Sequence, residues 1–173
     1  MSEIVHSFTG YALNAVDAKG RVSVPAAFRE LIATRCRLYG GEAGTVDDKE
    51  LVIGLHESLD HLQVFDAIGQ QQLARDLRAS VADLPAAERR RALEELSRGE
   101  FGNNQKVSFD GAGRMVLPPM LRDFAGIGDL ALFWATGDYF EIWSPARARE
   151  AFADNRRNLM TIDYLLRERG MNP

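Results

Sequence analysis

Two arginines stand where they could do chemistry, and each follows an aspartate by four positions. Asp17 precedes Arg21 in D-A-K-G-R, and Asp110 precedes Arg114 in D-G-A-G-R, with Gly20 and Gly113 just before the arginines. Asp accepts from nearby backbone N–H groups and Gly permits positive φ, so each stretch reads as a tight turn. Across a hairpin turn the carboxylate and the guanidinium come close enough for a bidentate pair. Two roles stay open for that pair. It fixes the turn and nothing more, or it holds the guanidinium toward an outside phosphate or guanine edge, either of which suits arginine's planar fork. Lys19 adds a second cation to the first turn, where the second turn has Ala112. Arg29 and Arg122 follow the turn arginines by eight positions. They either support the same face or pair with Glu30 and Asp123.

These matches belong to a longer one. Residues 14–31 (NAVDAKGRVSVPAAFREL) align with residues 107–124 (VSFDGAGRMVLPPMLRDF) at a constant shift of 93, without a gap. A turn, an arginine and a proline at fixed offsets make one element carried twice. In the first copy Arg21-Val22-Ser23-Val24 alternates as a strand with one buried face. Pro25 stops it, and residues 26–33 form a short helix with Phe28, Leu31 and Ile32 on one stripe. In the second copy residues 106–109 and 114–117 are the strands, Pro118 the stop, and a short helix opens at Met120. Further apolar strands follow each copy, at 51–55 and 62–65 and again at 130–135 and 139–143, the last two joined by a hairpin turn at Gly137-Asp138.

Helices are predicted over 66–81 and over 85–98, the latter between Pro85 and Gly99. Ser144-Pro145 reads as N-cap and N1 of a helix to about Ala153, and a last helix spans about 156–169. Residues 40–48 read as a polar loop. The order is thus ββα-ββ-αα, twice. Either unit alone has a thin core and bare strand edges; two that interleave cover each other and close a barrel.

The bulk numbers narrow the classes. The 173 residues are 46 % apolar and 27 % charged, an ordinary globular composition. No run of 18 apolar residues exists, so no membrane span is expected. Met1–His6 lacks a basic start with an apolar stretch, which reads as no signal peptide and a cytoplasmic protein. The net charge of −4 argues against a nonspecific polyanion binder. It leaves room for a local basic patch, because fields are screened beyond roughly 8–10 Å.

Cys36 is the single cysteine, so neither an intrachain disulfide nor a thiolate cage is possible. His6, His56 and His61 lack metal-ligand spacing and read as surface or loop residues. Gly111-Ala112-Gly113 lacks the third glycine and the following helix of a dinucleotide fingerprint. No catalytic motif, cofactor or metal is expected. Arg89, Arg90 and Arg91 lie among glutamates. The arginines at 147, 149, 156, 157, 167 and 169 interleave with Glu150, Asp154, Asp163 and Glu168. Both groups read as solvated helix faces.

The paired motifs D-x-K-G-R-V-S-V-P-x-x-F-R and D-G-A-G-R-M-V-L-P-P-x-L-R resemble the MraZ family of bacterial transcriptional regulators. That family carries two swapped-hairpin elements of the AbrB (SpoVT-AbrB) type. The resemblance runs from about Phe8 to Phe152 and implies an α+β fold, a double-split β-barrel with peripheral helices. It implies a first AbrB-like element at 8–58, connecting helices at 59–101, a second element at 102–145, and C-terminal helices at 146–173. It further implies a nonenzymatic, nucleoid-associated regulator that represses the division and cell-wall gene cluster. Such a protein binds short direct repeats of double-stranded DNA in its own promoter, as a homo-oligomeric ring. The DNA-binding arginines fall on Arg21 and Arg114, with Lys19 the basic turn residue and Arg29 and Arg122 behind them. Asp17, Gly20, Asp110 and Gly113 form the supporting turns. Ala112 departs from the pattern and weakens the second turn electrostatically.

Overall fold

The computed structural model describes residues 6–42 and 45–173. Parts of the Met1–His6 stretch and of the 40–48 loop fall outside those residues. The first half holds β1 (Tyr11–Ala15), β2 (Arg21–Ser23), α1 (Ala26–Tyr39), β3 (Glu50–Leu55), β4 (Leu62–Asp66), α2 (Ala67–Ser80) and α3 (Ala86–Gly102). The second holds β5 (Gln105–Ser108), β6 (Arg114–Val116), α4 (Pro119–Ala125), β7 (Leu130–Ala135), β8 (Phe140–Trp143), α5 (Pro145–Ala151) and α6 (Arg156–Glu168). The predicted order of elements is the observed one. No helix among the described residues is long and apolar enough to cross a membrane.

Two helix ends and one cap bond differ from expectation. α1 continues past residue 33 to Tyr39 because its buried stripe continues: Phe28 and Ile32 are followed by Arg35 and Cys36. Gly99 does not end α3. That helix buries no residue, and Gly99 faces open space, so it stays helical at a propensity cost of about 1 kcal/mol. Ser144 occupies the N-cap position of α5 without a side-chain cap bond, whereas Asp66 caps α2 through the Gly69 N–H at 2.7 Å.

The fold is α+β. A six-stranded antiparallel sheet runs β1-β7-β8-β4-β3-β5, and β2 with β6 forms a separate two-stranded ribbon. The pairs β1–β7, β4–β8, β3–β5 and β2–β6 all join one half to the other, so the halves interleave as the edge argument requires. The ladder does not close on itself: β1 and β5 are its two edges. The turns at 17–20 and 110–113 are also not the loops of regular hairpins. Asp17 N–H donates to the Arg21 carbonyl, and Asp110 N–H to that of Arg114, after which the flanking strands part to different partners.

The main core draws on both halves of the chain. Val22, Val24, Phe28 and Ile32 pack with Met115, Leu117, Leu121 and Ala125 beneath the ribbon. On the opposite face of the sheet, Leu13, Leu132 and Trp143 pack with Ala148, Ile162 and Leu166 of α5 and α6. Among the described residues one ion pair is fully buried. Arg35 Nε is 3.0 Å from Asp66 Oδ2, and both side chains are fully buried.

Candidate nucleic-acid interface

The ribbon and its two turns carry the candidate site. Gly20 N–H donates to the Asp17 carbonyl at 2.9 Å, and Gly113 N–H to that of Asp110 at 2.8 Å. Both glycines have positive φ, +78° and +83°, which a side chain would strain. Asp17 Oδ1 accepts from the N–H groups of Lys19 and Arg21, each at 2.9 Å. Asp110 Oδ1 does the same with Ala112 at 2.9 Å and Arg114 at 3.0 Å. The second carboxylate oxygen then takes the arginine Nε, at 2.6 Å in the first turn and 3.2 Å in the second. The arginine N–H, foremost, holds each carboxyl below its ordinary range, and the guanidinium reinforces it. Charge-assisted bonds of this kind restrain a guanidinium at its Nε end. Among the described residues the Nη groups of Arg21 make no hydrogen bond.

The strand register puts both arginines on one surface. Arg21 lies opposite Val116, Val22 opposite Met115, and Ser23 opposite Arg114. Val22 and Met115 point into the core, so Arg21, Ser23, Arg114 and Val116 line the outer face. The Arg21 and Arg114 side chains are 47 % and 57 % exposed. Lys19 is exposed beside Arg21, and Ala112 is exposed in the other turn.

Arg29 and Arg122 sit behind this face, half-buried. Arg29 Nε donates to the Val24 carbonyl at 3.1 Å, and its guanidinium lies against Gly113 of the other repeat. Arg122 donates to the carbonyls of Ile127 at 2.9 Å and Gly128 at 3.0 Å, and its Nη1 abuts Gly20. Each helix arginine therefore braces the turn of the opposite repeat. Neither pairs with Glu30 or Asp123 among the described residues. Ser23 and Val116 were not singled out in the sequence. The alternation of β2 and β6 marks them as outward, but only the pairing brings them beside the arginines.

Elsewhere the titratable groups serve the fold. Cys36 is buried, and burial first, then nearby carboxylates, pushes its thiol up to about 11. His61 lies in a loop, one of the two places expected of it, but not at the surface. It is buried between Trp143 (ring centroids 4.0 Å apart) and His56 (4.4 Å), because β8 of the other half lies against its loop. His56 Nδ1 accepts from the N–H groups of Ser58 and Leu59, and burial lowers its affinity for a proton. No group of three or more His, Cys, Asp or Glu side chains among the described residues could hold a metal. Arg90 pairs with Glu94 at 3.2 Å on a solvated helix face, as expected. The C-terminal arginines, however, are not all solvated. Arg149 pairs with Asp163 at 2.9 Å half-buried, and Arg147 and Arg169 reach the carbonyls of Phe124 and Leu13, because α5 and α6 pack on the sheet.

Comparison with known proteins adds kinship to this geometry. The family model of the MraZ protein matches residues 101–164, which take in the second turn, the second ribbon strand and most of α6. A transcriptional regulator MraZ of Ruegeria pomeroyi is 35 % identical over 139 residues, 80 % of this chain and 78 % of that protein. The chain belongs to the MraZ family. A MraZ regulator of Rhizobium meliloti is 32 % identical over 155 residues, covering 88 % of this chain and 92 % of the relative. One from Beijerinckia indica is 30 % identical over 167 residues, 96 % of this chain and 91 % of the relative. A match that long takes in both turns. The MraZ family assignment therefore rests on the whole duplicated chain and not only on its second half.

Proposed function

We propose that this protein is a nonenzymatic, sequence-specific DNA-binding regulator that represses transcription of the division and cell-wall gene cluster. It acts in the cytoplasm at the nucleoid, on short direct repeats in its own promoter. The observation that carries this reading is the outer face of the ribbon, where Arg21 and Arg114 stand together, each held by an aspartate. A two-stranded antiparallel ribbon fits the major groove, and an arginine fork on guanine O6 and N7 discriminates by about 1–3 kcal/mol. Lys19 takes phosphates. Arg29 and Arg122 contribute from behind, by holding the turns and adding positive potential. The names of the MraZ relatives support the regulatory role.

The fold reading belongs to this proposal. The ribbon spans the gap between edge strands β1 and β5, with one turn bond at each end, which supports a double-split barrel. In this scheme 8–58 and 102–145 are the two contact elements, 59–101 connects them, and 146–173 packs outside. A single chain of net charge −4 with so few cations binds DNA feebly. A ring of such chains on one rigid body raises avidity by roughly 10²–10⁴. Repeats spaced near one helical turn, about 10 base pairs, present the same face to successive subunits.

A gel shift with the DNA upstream of the protein's own gene tests this reading. Arg21→Ala is expected to abolish the shift while native mass spectrometry still finds the wild-type ring. Wild-type binding by the variant would remove the ribbon as the contact surface, and a wild-type monomer or dimer would remove the ring.

A further inference from the structure

The ribbon is close to twofold symmetric, yet its outer face is not. Val22 and Met115 are repeat counterparts and lie opposite each other, so the axis relating the repeats passes between them. That axis exchanges Arg21 with Arg114, and Ser23 with Val116. The arginine pair survives the exchange unchanged; the second pair is a hydroxyl on one side and an isopropyl group on the other. Leu117 N–H donates to the Gly20 carbonyl at 2.9 Å and Val24 N–H to that of Gly113 at 2.8 Å. These bonds put Arg21–Val116 and Ser23–Arg114 at the closely spaced, non-hydrogen-bonded positions, where Cα atoms lie about 4.5 Å apart. One end of the ribbon thus offers Arg21 with Val116, and Lys19 in the adjoining turn. The other offers Arg114 with Ser23, and Ala112 in its turn.

We propose that Val116 is a specificity-determining residue and that it contacts the 5-methyl group of a thymine beside the guanine read by Arg21. Val116 is 50 % exposed, although its strand neighbours Met115 and Leu117 are buried. Apolar side chains in the major groove meet the thymine methyl, whereas a serine hydroxyl accepts from or donates to any base edge. The difference gives the ribbon a direction on DNA. A fully symmetric ribbon would read a palindromic step and sit in either orientation. Direct repeats demand the same orientation at every copy, and the Val116 and Lys19 end supplies it. This inference rests on the proposed DNA-binding role and refines it.

The test is selection from a randomised duplex library by the full-length wild type, Val116→Ser, Val116→Thr and Arg21→Ala. The wild type should enrich a nonpalindromic step with thymine next to guanine. Replacing that thymine by deoxyuridine should weaken wild-type binding about threefold to fivefold, the effect of one buried methyl group. Val116→Ser should bind the two duplexes equally. Val116→Thr, which keeps one methyl, should fall between. Val116 points outward, so both variants should melt with the wild type. A palindromic wild-type site, or an undiminished thymine preference in Val116→Ser, overturns the inference. If Arg21→Ala binds as the wild type does, the DNA-binding face itself fails. Loss of binding in Arg21→Ala with unchanged discrimination in Val116→Ser sinks only the role of Val116.

Discussion

The two repeats build the same turn on different foundations. Their outer geometry agrees bond for bond: each aspartate takes two N–H groups on one oxygen and the arginine on the other. Behind that surface they diverge. α1 is 14 residues long and carries Arg35 into a buried pair with Asp66, which also caps α2. α4 is seven residues long and ends at Gly126 in the left-handed region, where Arg147 of α5 closes over it with a bond to the Phe124 carbonyl. Where the first repeat has Asp66 at the N-cap after its fourth strand, the second has Ser144 without a cap bond. The ribbon geometry is therefore set by local turn bonds and by the crossed braces Arg29 and Arg122. The interior beneath each copy is free to differ.

The largest test of that contrast is inside the protein. Arg35→Ala leaves the Asp66 carboxylate buried without its partner and should cost about 3–5 kcal/mol in urea unfolding. Ser144→Ala, at the matching place in the other repeat, should cost less than about 1 kcal/mol. Burial raises the Asp66 pKa, and Arg35 opposes that rise. In Arg35→Ala the opposition is gone, so the folded form holds the proton to higher pH than the unfolded chain. The variant should accordingly lose stability as pH rises through and above the ordinary carboxylate value, about 3.9. Arg35→Met with Asp66→Asn keeps an oxygen to cap α2 and should recover much of the loss. Equal losses from Arg35→Ala and Ser144→Ala would erase the distinction between the two interiors.

A smaller effect separates the two turns. A Cβ on Gly113 would overlap the Arg29 guanidinium, whereas on Gly20 it would meet the Leu117 carbonyl at 3.4 Å and Arg122 Nη1 at 3.5 Å. Both sites share the strain of positive φ, about 1 kcal/mol. Gly113→Ala must also displace its brace, so it should cost roughly 1 kcal/mol more than Gly20→Ala by thermal or urea unfolding. Equal costs would mean that Arg29 bears less on the second turn than its position implies.

How far the sequence reveals all this depends on whether the cause is local. Alternating valines at 22 and 24, the stops at Pro25 and Pro118, and the constant shift of 93 disclosed the element order and the turns. Local bonds also account for the Asp17–Arg21 and Asp110–Arg114 pairs. Strand pairing was legible only as a need for interleaving. It could not tell that β2 would lie against β6 with Arg21 beside Val116, because register is a contact between residues far apart in the chain. The same limit hid the place of Arg29 and Arg122 against the other repeat's glycines. It also hid the burial of His61 under Trp143. Arg35 was missed for another reason. A charge on a buried stripe usually marks the end of a core helix, and here Asp66, supplied by β4, lets the helix continue.

The finest contrast is one cation. Lys19 stands in the first turn and Ala112 in the second, with the backbone bonds of both turns nearly the same length. Lys19→Ala should reduce the slope of log affinity against log salt by about 0.9 for each engaged subunit, while leaving the preferred sequence unchanged. Ala112→Lys should raise the slope by the same amount and draw the second turn toward a phosphate. The double change moves the charge from one end of the ribbon to the other at constant net charge. It should restore the wild-type slope yet weaken the preference for one orientation on DNA. A double variant with both slope and orientation preference of the wild type would assign direction to the Val116–Ser23 difference alone.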